Sequence, residues 1–558
     1  MKICAYLALA LSMVLTGCSQ QTEVPETASS KTAAIDTINA DDLLRRIEVL
    51  ASDEFEGRSP SSPGEEKTVA FIANEFRQIG LAPGNGDSYF QGVPLVEITA
   101  DPDTALTVIG HDKNMTFAYG SEVMAWTKRV TDEVAIDNSE MVFVGYGVVA
   151  PEYNWNDYDG VDVKGKTVVM LVNDPGYATQ DPELFNGNAM TYYGRWTYKY
   201  EEAARQGAAG AIVIHETEPA SYPWGVVSGS WSGPQFDLVP DDRNFSRVSI
   251  EGWVTREVAE MLFNTAGMDL DEMKAAALTG DFKPVSLGLN ASMKIRNNVR
   301  ESISRNVLGY LEGSERPNEY IIYVAHWDHI GKDDNIEGDG IYNGAVDNAT
   351  GVSGIIEIAK AFASRETAPP RSVVFMAVTA EESGLLGSKH YAENPIFPLS
   401  QTVAVINIDS MDVYGEVNDI VVVGYGNSEL EEYLADAAAQ QGRTVKPEEH
   451  PERGGFYRSD HFNFAKHGVP ALYAEGGSGY IGEHAQQAKT LSEAFVMERY
   501  HKPADEVLDT WDLTGAVKDL RLYYMIGEQL ATDTDFPNWY AGNEFRAIRD
   551  ASLQAADK

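Results

Sequence analysis

At 558 residues, with 43% hydrophobic and 10% aromatic side chains, the chain has room for about three or four domains and enough apolar surface to give each a core, which excludes a wholly disordered or fibrous protein. A formal net charge of −42 excludes nucleic acid as a partner, and electrostatic docking on anionic lipid, because both would repel so acidic a surface. The two cysteines, Cys4 and Cys18, both lie near the start.

Lys2 and the apolar run 3–15 have the layout of a secretory signal whose core is too short to span a bilayer comfortably. Leu15-Thr16-Gly17-Cys18 resembles the lipobox of bacterial lipoproteins. That resemblance implies an exported bacterial protein with a signal peptide over 1–18, lipidated at Cys18, which becomes the first residue of the mature chain. Ser19 then implies outer-membrane sorting in a Gram-negative cell, with membrane contact only through the lipid anchor. Cys4 would leave with the signal, so no disulfide forms within one mature chain. Residues 19–37 are polar and read as a flexible tether.

Residues 38–129 read as the N-terminal part of a larger domain. Asn39 can cap a helix whose Leu43, Leu44, Ile47 and Leu50 share a face, and a second helix carries Val69, Ile72, Phe76 and Ile79 and stops at Gly80. The turn-rich 57–64 between them reads as scaffold. Over 130–289 the pattern changes to short strands with Gly- and Asp-rich turns, interrupted by a helix over 200–206 that runs into Gly207-Ala208-Ala209-Gly210 and a buried strand. This segment resembles a protease-associated (PA) domain inserted into the larger one. Its aromatic stretch 192–198 could line a pocket or pack the insert, and His215 reads as an ordinary core histidine.

From 290 to 535 strand and helix patterns alternate, which predicts an α/β fold with a mostly parallel mixed sheet flanked by helices. The run 320–325 is a buried strand by its β-branched and aromatic content, and it ends in His326-Trp327-Asp328, where such sheets present chemistry. With a period of two, His326 and Asp328 point to one side. Asp347 enters a helix over 352–363 and could equally be its cap. The strand 372–379 ends in Glu381-Glu382, adjacent carboxylates that diverge, so that one can bind metal while the other acts as a base. The strand 402–408 delivers Asp409, Arg458-Ser459-Asp460-His461 opens a short helix, and His501 sits on a loop. Two His, two Asp and two Glu at the ends of successive strands suit two zinc ions sharing one carboxylate. The tail 536–558, with Trp539, Tyr540 and Phe545, packs either on the body or on a partner.

In order and local context these motifs resemble the dinuclear zinc aminopeptidase family, which includes secreted bacterial leucyl aminopeptidases and, with a protease-associated insert, glutamate carboxypeptidase II. The resemblance implies a zinc exopeptidase fold of the phosphorylase/hydrolase type, two Zn2+ per subunit and peptide substrates. It implies that His326 and Asp409 bind one zinc, Glu382 and His501 the other, and that Asp347 bridges them across a cis bond to Asn348. Asp328 would orient His326, and Glu381 would be the general base for a zinc-activated water. Some relatives stabilise the oxyanion with a Tyr just before Ser-Asp-His; here Phe456 holds that place, with Tyr457 adjacent. Tyr457, Arg458, Asp460, His461 and Arg195 are the candidate substrate contacts, and His329 and His484 supporting residues. The leading function is an aminopeptidase. A carboxypeptidase or dipeptidase gripping a terminal carboxylate with Arg195 and Arg458, a glutaminyl cyclase and a non-catalytic receptor are the alternatives. Oligomeric state is open.

Overall fold

The computed structural model describes residues 34–101 and 104–556. The signal, the lipidation site at Cys18 and nearly all of the tether lie outside the described residues. Among the described residues no helix is long and apolar enough to cross a membrane.

Four parallel strands form the centre. Arg316–His326 pairs with Arg371–Val378 on one side and with Thr402–Asn407 on the other, and Ala471–Gly476 follows Thr402–Asn407. One edge is extended antiparallel by Val285–Leu311 and Phe90–Ala100, the other by the antiparallel Asp419–Val422, on which Thr444–Pro447 pairs parallel. The central strands carry continuous apolar runs, 320–325, 373–378 and 403–406, because both faces are covered there. Ile321, Tyr323 and Ala325 face a core shared with the helices Ala40–Leu50, Pro63–Ile79, Gly351–Ala363, Leu430–Gln440 and Thr514–Thr532, whereas Ile322 and Val324 face an aromatic core that includes Phe464, Trp539 and Phe545. Parallel strands in one layer bring their carboxyl ends together, and the six motif residues lie at or just beyond those ends.

A second sheet has the order Lys113–Ala118, Ala105–Gly110, Val285–Leu311, Glu133–Phe143, Thr167–Leu171, Gly210–His215, Ile250–Thr255 and Val123–Trp126. The 27-residue strand Val285–Leu311 belongs to both sheets: 285–296 pairs with Glu133–Phe143, and 297–307 with Phe90–Ala100. The second sheet therefore starts before residue 130 and ends after residue 289, while Pro234–Leu238, inside those limits, pairs with Phe90–Ala100 in the first sheet. Strand periodicity identifies a strand but not its neighbour, and pairing decides which sheet it joins. The helix that feeds Gly210–His215 spans Trp196–Arg205, a turn earlier than its sequence pattern suggests.

The tail returns along the body. Trp539 is fully buried with its indole N–H on the Gly468 carbonyl, and Arg549, also fully buried, donates to the carbonyls of Thr402 and Val403.

Candidate metal centre and active site

Five side chains from five loops meet above the carboxyl ends of the parallel strands. His326 Nε2 lies 3.1 Å from Asp409 Oδ1 and 3.2 Å from Asp347 Oδ1. His501 Nε2 lies 3.2 Å from Asp347 Oδ2 and 3.0 Å from Glu382 Oε2. Asp347 thus turns one oxygen to each histidine, which divides the cluster into two sets of three donors that share one carboxylate. His326, Asp347 and Glu382 also offer ligand atoms all within 4.8 Å of one another. Imidazole nitrogens and carboxylate oxygens at this spacing fit zinc, and buried carboxylates this close are costly without a cation between them.

Each donor is held by the chain around it. His326 Nδ1 is 3.1 Å from the Asp328 carbonyl oxygen, and a bond there leaves Nε2 as the free lone pair facing the carboxylates. The orienting contact is therefore the Asp328 main chain; its carboxylate is 3.8 Å from Nδ1 and instead accepts the backbone N–H groups of Glu381, at 3.0 Å, and Glu382, at 3.4 Å. His329 Nδ1 meets the other Glu382 oxygen at 2.7 Å, and the Ser459 hydroxyl donates to Asp409. The Asp347–Asn348 peptide is cis. Asn348 then clamps the Asp409 loop, its amide donating to the Ile408 carbonyl and its oxygen accepting the Ser410 N–H, both at 3.0 Å. Asp505 accepts the N–H groups of Val346 and Asp347 at 3.1 Å.

Arg58, read from sequence as part of a scaffold turn, is 1% exposed and donates to the carbonyls of Leu50, Trp327, Asn343 and Gly344. It ties the loops that carry Asp328 and Asp347 together. Burial pushes its guanidinium down to about 10, against the pull of Asp347 and Asp505, so it remains a cation at neutral pH. No local pattern marks it, because its partners at Trp327 and Asn343 lie 269 and 285 residues away.

The carboxylates dominate the electrostatics. Burial disfavours a charged His501, yet hydrogen bonds to Asp347 and Glu382 push it up to about 10, and His326 is likewise raised well above the usual histidine range, against burial, by Asp409 and Glu381. Burial opposes ionisation of Asp347 too, but its bonds to His326 and His501 hold it well below the carboxylate range. The cluster demands positive charge, which a divalent cation supplies once the imidazoles act as ligands. Glu381 sits among them without a histidine of its own, and burial, reinforced by Asp409 and Glu382, drives it well up.

Two cavities flank this centre, and Glu381, Arg458 and Tyr500 line both. One, of about 600 Å3, is lined by Asp409, Asp412, Glu448, Glu449 and Glu475. The other, of about 350 Å3, lies against the second sheet and is lined by Arg195, Trp196, Trp231, Lys389 and Tyr457. Arg195 and Arg458 therefore face a cavity as the sequence suggests. The Tyr457 ring does too, but its hydroxyl donates to Glu544 at 3.1 Å, which turns it away from an oxyanion. Asp460 and His461 are fully buried and line neither cavity, a correction to their reading as substrate contacts. Asp460 accepts the Ser388 hydroxyl and His461 packs on Phe456, because the turn that opens helix His461–Lys466 directs both inward. His484 lines neither cavity. Tyr500, passed over in sequence, stacks on His501 with ring centroids 3.9 Å apart. Its position next to a candidate ligand histidine was the available signal.

The family model "Peptidase family M28" matches residues 306–525. The chain is 32% identical over 424 residues to "Aminopeptidase NAALADL1" of Mus musculus, covering 66% of this chain and 53% of that protein, and 31% identical over 199 residues to "Glutamate carboxypeptidase 2 homolog" of Caenorhabditis elegans, covering 34% and 24%. It spans about half the length of the first of these relatives. Among solved structures, the aminopeptidase from Aneurinibacillus sp. strain AM-1 superposes with a TM-score of 0.51 at 19% identity, covering 91% of this chain and 97% of that one, a likeness of fold. The segment 306–525 that matches the peptidase family M28 model carries His326, Asp347, Glu381, Glu382, Asp409 and His501.

Proposed function

We propose that the protein is a zinc-dependent exopeptidase, an aminopeptidase that releases N-terminal residues from peptides. The observation that carries this reading is the pair of donor sets sharing Asp347, with the half-buried Glu381 beside them and open to both cavities. His326, Asp347 and Asp409 would hold one ion, and His501, Asp347 and Glu382 a second. Zinc bound there supplies Lewis acidity at the scissile carbonyl and lowers the pKa of the attacking water. Glu381, which lines both cavities beside the two donor sets, takes the proton of that water and returns it to the leaving amine. Asp328, gripping the N–H groups of Glu381 and Glu382, fixes the base relative to its neighbouring ligand. Tyr500, stacked on His501 and lining both cavities, is the phenol we assign to the oxyanion. The carboxylate-lined cavity suits the free α-ammonium group.

Turnover of free, N-acetylated and C-amidated forms of one dipeptide by zinc-loaded protein tests this. Cleavage that requires a free amine is expected; cleavage of the acetylated form at an undiminished rate would refute the aminopeptidase. One observation favours a second, related reading. In the smaller cavity Lys128, Arg247 and Lys466 pair with Asp237, Glu251 and Glu201, but Arg195, Lys389 and Arg458 have no carboxylate partner among the described residues. Arg195 is only 9% exposed and its Nε has no hydrogen bond. Such cations suit a substrate carboxylate, as in a dipeptidase or carboxypeptidase, and loss of turnover on C-amidation would move the function there. The β-rich insert as a protease-associated domain, and export with a lipid anchor at Cys18, belong to the same proposal; Cys18→Ser should release the protein from the membrane fraction.

A further inference from the structure

The C-terminal tail lies outside the segment that matches the family model, yet it reaches the wall of the smaller cavity. It is fixed to the body at several points. Glu429 N–H bonds to the Asn538 carbonyl and Tyr540 N–H to the Asn427 carbonyl, both at 2.9 Å. Trp539 and Phe545 are buried against Phe456, and Phe545 also against Phe462, the aromatic residues on either side of Arg458. From this seat Glu544 extends one oxygen, Oε1, to two places: the Tyr457 hydroxyl at 3.1 Å and the Tyr192 backbone N–H at 3.3 Å.

These two contacts lie on different parts of the fold. Tyr457 immediately precedes Arg458 on the catalytic loop. Tyr192 opens the turn Tyr192–Gly194, which the Arg195 N–H closes by bonding to the Tyr192 carbonyl at 3.0 Å. One tail carboxylate is therefore bonded to both segments that present the unpartnered guanidinium groups. Arg195 and Arg458 repel each other: burial, then the Arg458 charge, pushes Arg195 down to about 10. Two like charges facing one cavity stay there only if their backbones are held.

We propose that Glu544 is a positioning residue, through which the C-terminal tail fixes the Arg195 and Arg458 segments at the spacing that receives a substrate carboxylate. The carboxylate is either the C-terminal group of a dipeptide or the acidic side chain of the residue after the scissile bond. The proposal rests on the peptidase reading above and on the carboxylate role of the two arginines, and goes beyond them in assigning a function to the tail.

The test compares wild type, Glu544→Ala, Glu544→Gln and Tyr457→Phe, each zinc-loaded and of full length, on three substrates: a dipeptide with a free carboxylate, its C-amide, and a C-amide with Glu after the scissile bond. Glu544→Ala should raise KM for a carboxylate-bearing substrate at least tenfold, with kcat within about threefold and KM for the plain amide unchanged. Whether the dipeptide or the Glu-containing amide shows the rise identifies the source of the carboxylate. Glu544→Gln keeps an acceptor oxygen and should recover most of the effect, and Tyr457→Phe, which removes one of the two bonds, should give an intermediate KM. Equal KM changes on all three substrates, an unchanged KM, or a Gln variant as impaired as Ala would overturn the proposal. Should Glu544→Ala fail to fold, Tyr457→Phe decides alone. Amide hydrogen exchange separates this from the functional reading: faster exchange at 192–195 and 455–458 in Glu544→Ala is expected even if the wild type cleaves none of the three, and unchanged exchange would count against the brace.

Discussion

At the scale of single residues, the site distinguishes groups that share a chemical type. Glu381 and Glu382 are neighbours, but only Glu382 has histidine partners, His329 and His501, while Glu381 faces both cavities unpaired. Glu381→Gln should therefore lower kcat by about 10²- to 10⁴-fold, the range of a lost general base, with zinc content measured by atomic absorption unchanged; loss of zinc would instead make Glu381 a ligand. Arg58 predicts a different outcome. Arg58→Met leaves four backbone carbonyls without their donor in a dry site, a loss of roughly 3 kcal/mol or more by the cost of unpaired buried polar groups, seen as a lower urea midpoint together with weaker zinc binding. A variant with wild-type stability and zinc affinity would show that water replaces the guanidinium.

At the scale of elements, packing of helix Thr514–Thr532 on the central sheet depends on a glycine. A Cβ on Gly527 would lie 1.8 Å from the Tyr323 hydroxyl, which donates to the Tyr523 carbonyl in the same helix. Helix propensity favours Ala over Gly by about 1 kcal/mol, but forcing a buried ring aside costs about 1–3 kcal/mol and also breaks its hydrogen bond. The clash should win, so Gly527→Ala is expected to lower the melting temperature by several degrees; an increase would mean that Tyr323 finds another rotamer without loss. Sequence periodicity could not have shown this contact, because a glycine in a helical pattern carries no mark of the residue that faces it.

For the whole molecule, charge sets the conditions of stability. A chain of net charge −42 repels itself, and the candidate metal centre concentrates the buried Asp347 and the half-buried Glu381, Glu382 and Asp409 in one place. Chelation should lower the melting temperature, since an ion that binds only the folded state stabilises it by mass action, and added sodium chloride should recover part of the loss by screening the carboxylates that are not fully buried. A melting temperature indifferent to chelator would mean that zinc contributes nothing to the fold. The sequence by itself determined the α/β class, the chain order of the strands that lead to His326, Glu381 and Asp409, and the set of candidate metal-binding residue types, because these follow from local periodicity and from motifs a few residues long. Only the tertiary structure decided that Asp347 divides its oxygens between two histidines, that Arg58 and Asp505 hold the loops, that Tyr457 is committed to Glu544 while Tyr500 stacks on His501, and that Asp460 and His461 turn inward. Those contacts join residues tens to hundreds of positions apart, or depend on the direction of a turn; local sequence encodes the elements, and the packing of distant elements chooses which side chains meet.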